Sequence, residues 1–384
     1  MTKKTLIISP TFPYPPNTGN RARIYQLLLN LKNLGQEVYL LYIDTEPFDE
    51  SQVGENSWST QTFVVPYTPP HKTLVSRILK KVQKKLGMQA GYTYSIDGWY
   101  DDSINAFITE LANQICFDIV IVEYAFFSKA LECFGDQTLK VIDTHDVYTN
   151  RHLIYLNNQQ PPHWYSTTEA DEAKGLDRAD VIIAIQHKEK EFFTKITKKK
   201  VIVVGHTVQL HEPVQRYLTD KAIVFVGSST PMNVQGINLF AKHVFPQIKG
   251  RFAELKLILA GTICDMVEDF DHCIKLGKAG SLKDIYGQAD VVINPITFGT
   301  GLKIKTIEAL GYAKPLVTTS IGAEGLENGI NQAFLVADTT ESFVQSVSNV
   351  LANSALANEL SRNAYEFAKN WNEANLRELK NVFK

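Results

Sequence analysis

The stretch GTGLKIKTIEALGYAKPLVTT, Gly299 to Thr319, reads as a glycine-rich turn, a helix carrying one glutamate and a buried strand. Gly299 and Gly301 lack a Cβ, so an anion can approach the backbone closely, and the helix that follows points free N–H groups at the same place. Lys303 and Lys305 add positive charge. This order builds a pocket for a phosphorylated ligand, with Glu308 one to two turns later as an acceptor for the two hydroxyls of a ribose. A glycine turn before a helix is common punctuation in α/β proteins; the lysine and the glutamate beside it favour the phosphate site. The bland alternative for Glu308 is a solvated helix edge. Its neighbours Ile304, Ile307, Ala309 and Leu310 argue for binding instead, because a carboxylate in apolar surroundings is costly without partners.

Outward from this stretch, short β-branched runs alternate with helical ones over the whole chain, the signature of parallel sheets covered by helices on both faces. Thr5 to Ser9 reads as a strand, Asn20 to Leu34 as a helix closed by Gly35, and Val38 to Ile43 as a second strand. Asp118 to Glu123, Lys140 to Asp143, Asp180 to Ile185 and Val201 to Val204 continue the series. After a polar, irregular segment from Gly205 to Asp220 the pattern restarts at Ile223 to Val226. It then runs through Leu255 to Ala260, Asp290 to Asn294, Leu316 to Thr318 and Phe334 to Val336, with helices such as Asn233 to Ile248 and Leu302 to Tyr312 between. Two further helices are expected over Ala355 to Ala368 and Glu373 to Phe383. The fold class expected is α/β, with two Rossmann-like doubly wound parallel-sheet domains, 1–205 and 206–368, facing a central cleft. A C-terminal helix, about 369–384, is expected to pack back on the first domain.

The chain has 384 residues, 44% of them hydrophobic and 21% charged, as in a soluble globular protein. A formal net charge of −2 provides no field for nucleic acid, which is excluded as a partner, so any anion site is local. Cys116, Cys133, Cys264 and Cys273 lack the paired spacing of a zinc site; no metal is expected, and reduced thiols suit the cytoplasm. The apolar run Leu6 to Ile8 is too short for a signal peptide, and no apolar stretch has membrane-spanning length. Attachment to a membrane surface stays open. Within His71 to Gly87 (core 72–86), Leu74, Ile78, Val82 and Leu86 share a helical face with Val75 and Leu79 beside them, while Arg77, Lys80, Lys81, Lys84 and Lys85 take the other. Two readings stand level: a surface helix packed on the first domain, and docking to anionic lipid on the inner face of the plasma membrane.

Phe225-Val226-Gly227-Ser228, Leu259-Ala260-Gly261, Ala289 to Pro295, and Ile307-Glu308-Ala309-Leu310 with Lys314-Pro315-Leu316-Val317 resemble, in order and spacing, the second domain of glycosyltransferase family 4. The glycine turn resembles a GTGLK-type subset. The match covers roughly 220–330 and thins in the first half, where it rests on Pro15 to Arg23 and on Asp143-Thr144-His145-Asp146. The resemblance implies the GT-B fold and a retaining, metal-independent transfer of a hexose from a nucleotide-diphosphate sugar to a glycan or glycolipid hydroxyl. No cofactor beyond the donor is implied, and the setting it suggests is surface polysaccharide assembly.

The resemblance also carries site residues. Gly19, and Asn20 where a second glycine is common, match a loop that lies against the donor; His145 matches a position that touches the donor sugar. Ser228, Gly299, Thr300, Gly301, Leu302 and Glu308 match donor-binding positions. Two departures matter. The family's paired glutamates are separated by seven residues, and counting back from Glu308 puts Thr300 where the first belongs. The usual Arg and Lys after the first strand of the second domain are replaced by GSSTPMNVQG, leaving Lys303 as the catalytic cation. His145 either contacts substrate or satisfies a loop carbonyl; Asp146 either orients that ring or caps the next helix. Thr18 reads as a helix cap. Arg21 and Arg23 reach anionic donor or acceptor groups or form surface salt bridges. The missing glutamate and cations motivate a rival, a non-catalytic GT-B subunit that binds a nucleotide or a partner enzyme; a nucleotide-sugar epimerase is a third reading.

Overall fold

The computed structural model describes residues 2–46, 58–70, 73–214, 221–278 and 281–383. His71 and Lys72 of the basic segment, and residues 215–220 of the irregular one, lie outside them. The chain divides into two compact units, residues 1–205 with 376–384, and residues 206–375.

Among the described residues the first unit holds a seven-stranded sheet of β1 (Lys4–Ser9), β2 (Glu37–Asp44), β3 (Gln61–Pro66), β4 (Ile119–Glu123), β5 (Leu139–Asp143), β6 (Val181–Ala184) and β7 (Lys200–Val203), in the order β3-β2-β1-β4-β5-β6-β7. Every pairing is parallel. The period of two sends Leu6, Ile8, Val120 and Val122 into one apolar core, and Ile7, Ile119 and Ile121 into the other. That is why these runs are apolar throughout. Strand order reverses between β1 and β4, and the carboxyl ends beside such a reversal are the usual ligand position in sheets of this kind.

The second unit repeats the plan with β8 (Ala222–Val226), β9 (Lys256–Ala260), β10 (Cys273–Lys275), β11 (Val291–Asn294), β12 (Leu316–Thr318) and β13 (Leu335–Val336), ordered β10-β9-β8-β11-β12-β13 and again parallel. Its order reverses between β8 and β11. Gly227-Ser228 follow one of these strands and the Gly299–Gly301 turn follows the other.

Two strands depart from the sequence expectation. The edge strands β3 and β10 were not anticipated: β3 is largely half-exposed, and β10 is three residues long, so neither carries a buried apolar run. One helix, Ser354–Val382, replaces the two expected, since no glycine or proline interrupts it. Its last residues belong to the first unit, where Leu379 and Phe383 enter the core and Lys3 Nζ donates to the Phe383 carbonyl at 3.0 Å.

The basic helix, Leu74–Lys85, has no buried residue. Leu74, Val75 and Leu86 are 73, 74 and 69% exposed, and Ile78, Leu79 and Val82 about half so. The apolar row is therefore not packed on the unit, contrary to the first of the two readings. What fastens the helix is its basic side: Lys80 Nζ donates to the Thr93 carbonyl at 2.9 Å and sits 3.4 Å from the Tyr94 ring centre, and Lys84 lies over Tyr92. Among the described residues no helix is long and apolar enough to cross a membrane.

Candidate functional site

In the second unit the glycine turn is held from below. Gly299 and Gly301 have φ of 139° and 72°, a region that favours glycine. A Cβ on Gly299 would come 3.0 Å from Met232 Sδ. Asn294 at the end of β11 donates to Thr306 Oγ1 (3.0 Å), which donates to the Gly322 carbonyl (2.7 Å). Lys303 closes this frame. Its ammonium, nearly buried, donates to the Gly301 carbonyl at 2.7 Å and pairs with Glu324 at 3.1 Å. The cation assigned to the donor thus has protein partners on two sides and fixes the turn to the Gly322–Glu324 segment.

Helix Ile304–Gly311 starts after Lys303 and buries Thr306, Ile307, Ala309 and Leu310. Lys305, Glu308 and Tyr312 fall on its other, half-buried side, three and seven residues apart. Tyr286 OH donates to Glu308 Oε2 at 3.0 Å, and the Tyr286 and Tyr312 rings stack at 4.6 Å, with His211 on Tyr312 at 4.3 Å. Burial raises the Glu308 carboxyl, with Tyr286 and Lys305 opposing that shift. Burial also pulls the Lys305 ammonium down to about 8. Among the described residues Lys305 makes no hydrogen bond or ion pair, and the Glu308 charge partly offsets its burial. Leu302 is buried, and Ser228 is fixed by Asn233 Nδ2, which donates to its carbonyl (2.9 Å) and hydroxyl (3.1 Å). Thr300 sits half-buried between the two glycines.

In the first unit His145 and Arg23 meet the carboxylates at the carboxyl ends of β4 and β5. His145 Nε2 lies 2.5 Å from Glu123 Oε2, and its ring packs 4.2 Å from that of Tyr124. Sequence reasoning missed Glu123. It ends β4, fully buried, with Oε1 unpartnered, and desolvation with the nearby Asp143 charge raises its carboxyl to about 7. The ring's acid partner is thus Glu123; Asp146 instead bonds the Val147 N–H (2.9 Å) and Arg151 Nε (3.0 Å). Arg23 is turned inward, its Nε donating to Asp143 Oδ2 (2.8 Å) and Nη2 to Asp143 Oδ1 (2.5 Å) and the Val204 carbonyl (3.1 Å). Arg21 is nearer the surface, paired with Glu46 at 3.2 Å. Gly19 is exposed at the first residue of helix Gly19–Asn33, and Asn20 Oδ1 accepts from Thr18 Oγ1 (2.7 Å) and the Arg21 N–H (3.0 Å). Thr18 makes no side-chain cap.

Glu123, Asp143 and His145 bring one ligand atom each within 4.8 Å of one another. The donor set does not suit a cation, because Arg23 already binds both Asp143 oxygens and would face it with a guanidinium.

Residues 220–353 match the family model of glycosyl transferases group 1. Over its whole length the chain superposes on the sucrose-phosphate synthase of Thermosynechococcus elongatus with a TM-score of 0.70 at 15% identity, covering 99% of this chain and 98% of that one. A TarM variant of S. aureus in complex with Fondaparinux, alpha-GlcNAc-glycerol and UDP gives 0.72 at 11% identity, with 100% of both chains covered. The chain has the GT-B fold. The second GT-B unit carries the glycosyl transferases group 1 match. A curated relative from Klebsiella pneumoniae, an uncharacterized 44.6 kDa protein in cps region, is 20% identical over 95% of each chain.

Proposed function

We propose that this chain is a retaining glycosyltransferase of family 4 type. It moves a hexosyl group from a nucleotide-diphosphate sugar, a uridine diphosphate sugar in first place, to a hydroxyl of a glycan or glycolipid. The observation that carries the reading is the match of residues 220–353 to glycosyl transferases group 1, which contains a left-handed glycine turn running directly into the helix of Lys305 and Glu308. Glu308, held by Tyr286, takes the ribose hydroxyls. The N–H groups of the turn and helix start, with Lys303 and Lys305, take the diphosphate charge that grows as the donor's C1–O bond breaks. The acceptor oxygen forms the new bond to C1 on the same face, and its proton passes to the departing phosphate oxygen. In the first unit His145 is fixed by Glu123.

The relative from a cps region supports a setting in surface polysaccharide assembly. The helix Leu74–Lys85 supports work at an anionic membrane surface. Its apolar row is exposed, and between Lys72 and Ile96 the chain carries Arg77, Lys80, Lys81, Lys84 and Lys85 with no acidic residue, although the whole chain is at −2.

The test is incubation of the purified protein with a panel of nucleotide-diphosphate sugars. Slow release of the nucleoside diphosphate from one of them, with no acceptor, is expected; a panel without any turnover returns the chain to a binding subunit. An altered sugar still joined to its nucleotide identifies an epimerase.

A further inference from the structure

Among the described residues of the first unit, five that are not glycine hold left-handed backbone: Tyr124, His145, Asn150, Gln159 and Trp164, with φ of 72°, 62°, 53°, 55° and 67°. Bulky side chains avoid that region, and where the surrounding structure enforces it a functional constraint is the first reading. Trp164 is the clearest case, being both strained and 41% exposed. Other tryptophans are more covered: Trp58 is buried, Trp99 and Trp371 half-buried.

The indole is clamped. Tyr124, Phe126 and Tyr148 meet it at 5.4, 5.5 and 5.9 Å with ring planes at 85°, 90° and 76°. Arg151, nearly buried and bonded through Nε to Asp146, donates from Nη1 to the carbonyl of His163 at 3.0 Å, and its guanidinium lies 5.8 Å from the indole. Thus the residue after His145 fixes the arginine that fixes the residue before Trp164. Tyr124 packs against both His145 and Trp164. The Trp164 Nε1–H has no hydrogen-bond partner among the described residues.

A rigid aromatic surface left partly open, with an unused donor at its edge and charged or polar groups around it, suits a ligand with an apolar face and hydroxyls at its rim. A pyranose ring has that character. We propose that Trp164 is the stacking platform for the terminal sugar of the acceptor glycan. This assignment rests on the glycosyltransferase reading and deepens it, giving the first unit a residue for acceptor recognition. Arg151 and Asp146 act as positioning residues.

Saccharide binding tests it apart from turnover. Saturation-transfer NMR of the full chain with methyl glycosides of the common hexoses and N-acetylhexosamines is expected to show contact through the sugar C–H groups, with quenching of tryptophan fluorescence. W164A is expected to weaken that binding about tenfold or more, W164F to restore most of it. W164L keeps the bulk without the aromatic surface, must bind as weakly as W164A, and stands in if alanine does not fold. Equal binding by wild type and W164L, or no contact from any glycoside, overturns the assignment. Donor release by a wild type whose glycoside binding ignores Trp164 would sink the platform and leave the glycosyltransferase reading standing; glycoside binding that needs Trp164, with no donor ever consumed, would do the reverse.

Discussion

His145 and Glu123, 22 residues apart in sequence, meet through Nε2 and Oε2 at 2.5 Å inside the first unit. The contact is made because β4 and β5 are parallel neighbours whose last residues, Glu123 and Asp143, stand in register. Glu123 is raised from 4.5 to about 7, chiefly by burial, so the folded chain keeps its proton where the unfolded chain has released it. From pH 4.5 to 7 the native state therefore binds more protons, and its stability falls as pH rises. Glu123→Gln removes that term. The melting temperature of the variant relative to wild type is expected to climb between pH 5 and pH 8; a constant difference would show that Glu123 does not titrate in this way.

Lys303 and Lys305 stand two residues apart and call for opposite outcomes. Lys303 is bridged to Glu324, so Lys303→Met leaves a largely buried carboxylate without its cation and is expected to lower the melting temperature. Lys305 is brought down from 10.5 to about 8 by burial. Its charge burdens the native state below pH 8, a penalty that fades between 8 and 10.5. Lys305→Met is therefore expected to raise the melting temperature at pH 7, by about 2–4 °C if 1 kcal/mol is regained. The same variant should bind uridine diphosphate on the order of tenfold more weakly, as loss of a charge-assisted contact implies. Calorimetric titration and thermal melts decide; a Lys305→Met protein that is less stable and binds as well as wild type contradicts both expectations.

What the sequence made legible follows physical reach. The central strands β1, β4, β8 and β11 are apolar on both faces and readable as runs; β3 and β10 lie at sheet edges, half in solvent, and carry no such signal. The glycine turn and Glu308 were readable because turn, helix start and carboxylate are consecutive. The partners of the site residues were not, since Glu324 reaches Lys303 across 21 residues, Tyr286 reaches Glu308 across 22, and Asp143 reaches Arg23 across 120. Amphipathic spacing found the helix Leu74–Lys85 but had no means of telling which side would be covered. Only the packing shows that Lys80 and Lys84, over Tyr94 and Tyr92, face the unit while Arg77, Lys81 and Lys85 are exposed.

That arrangement predicts a membrane effect without a stability effect. Vesicles containing phosphatidylglycerol are expected to sediment with the wild-type protein at low salt and release it at high salt, each basic residue near the surface contributing about 1 kcal/mol. Ile78→Asp puts a charge into the exposed apolar row. It is expected to reduce co-sedimentation at least about tenfold while leaving the melting temperature within about a degree, because Ile78 is 54% exposed. Equal sedimentation with neutral phosphatidylcholine vesicles, or no loss in the variant, would remove the helix from any role at lipid.

Glu172 shows how the His145 loop is held in shape. Fully buried, it accepts the Tyr148 N–H at 2.9 Å, the Thr149 N–H at 2.7 Å and the Thr149 hydroxyl at 2.6 Å, tying the helix Glu169–Leu176 to the segment that follows Asp146. Glu172→Ala strands two backbone donors and a hydroxyl in the interior, a loss of roughly 1–3 kcal/mol for each group left unsatisfied. Even partial rehydration leaves a destabilisation of about 2 kcal/mol or more. Because the segment Val147–Arg151 leads through Arg151 to Trp164, amide exchange is expected to accelerate over residues 146–167 in Glu172→Ala, while the strands of the second unit keep wild-type rates. Acceleration spread evenly over both units would mean that Glu172 supports the fold at large and has no particular hold on the loop beside His145.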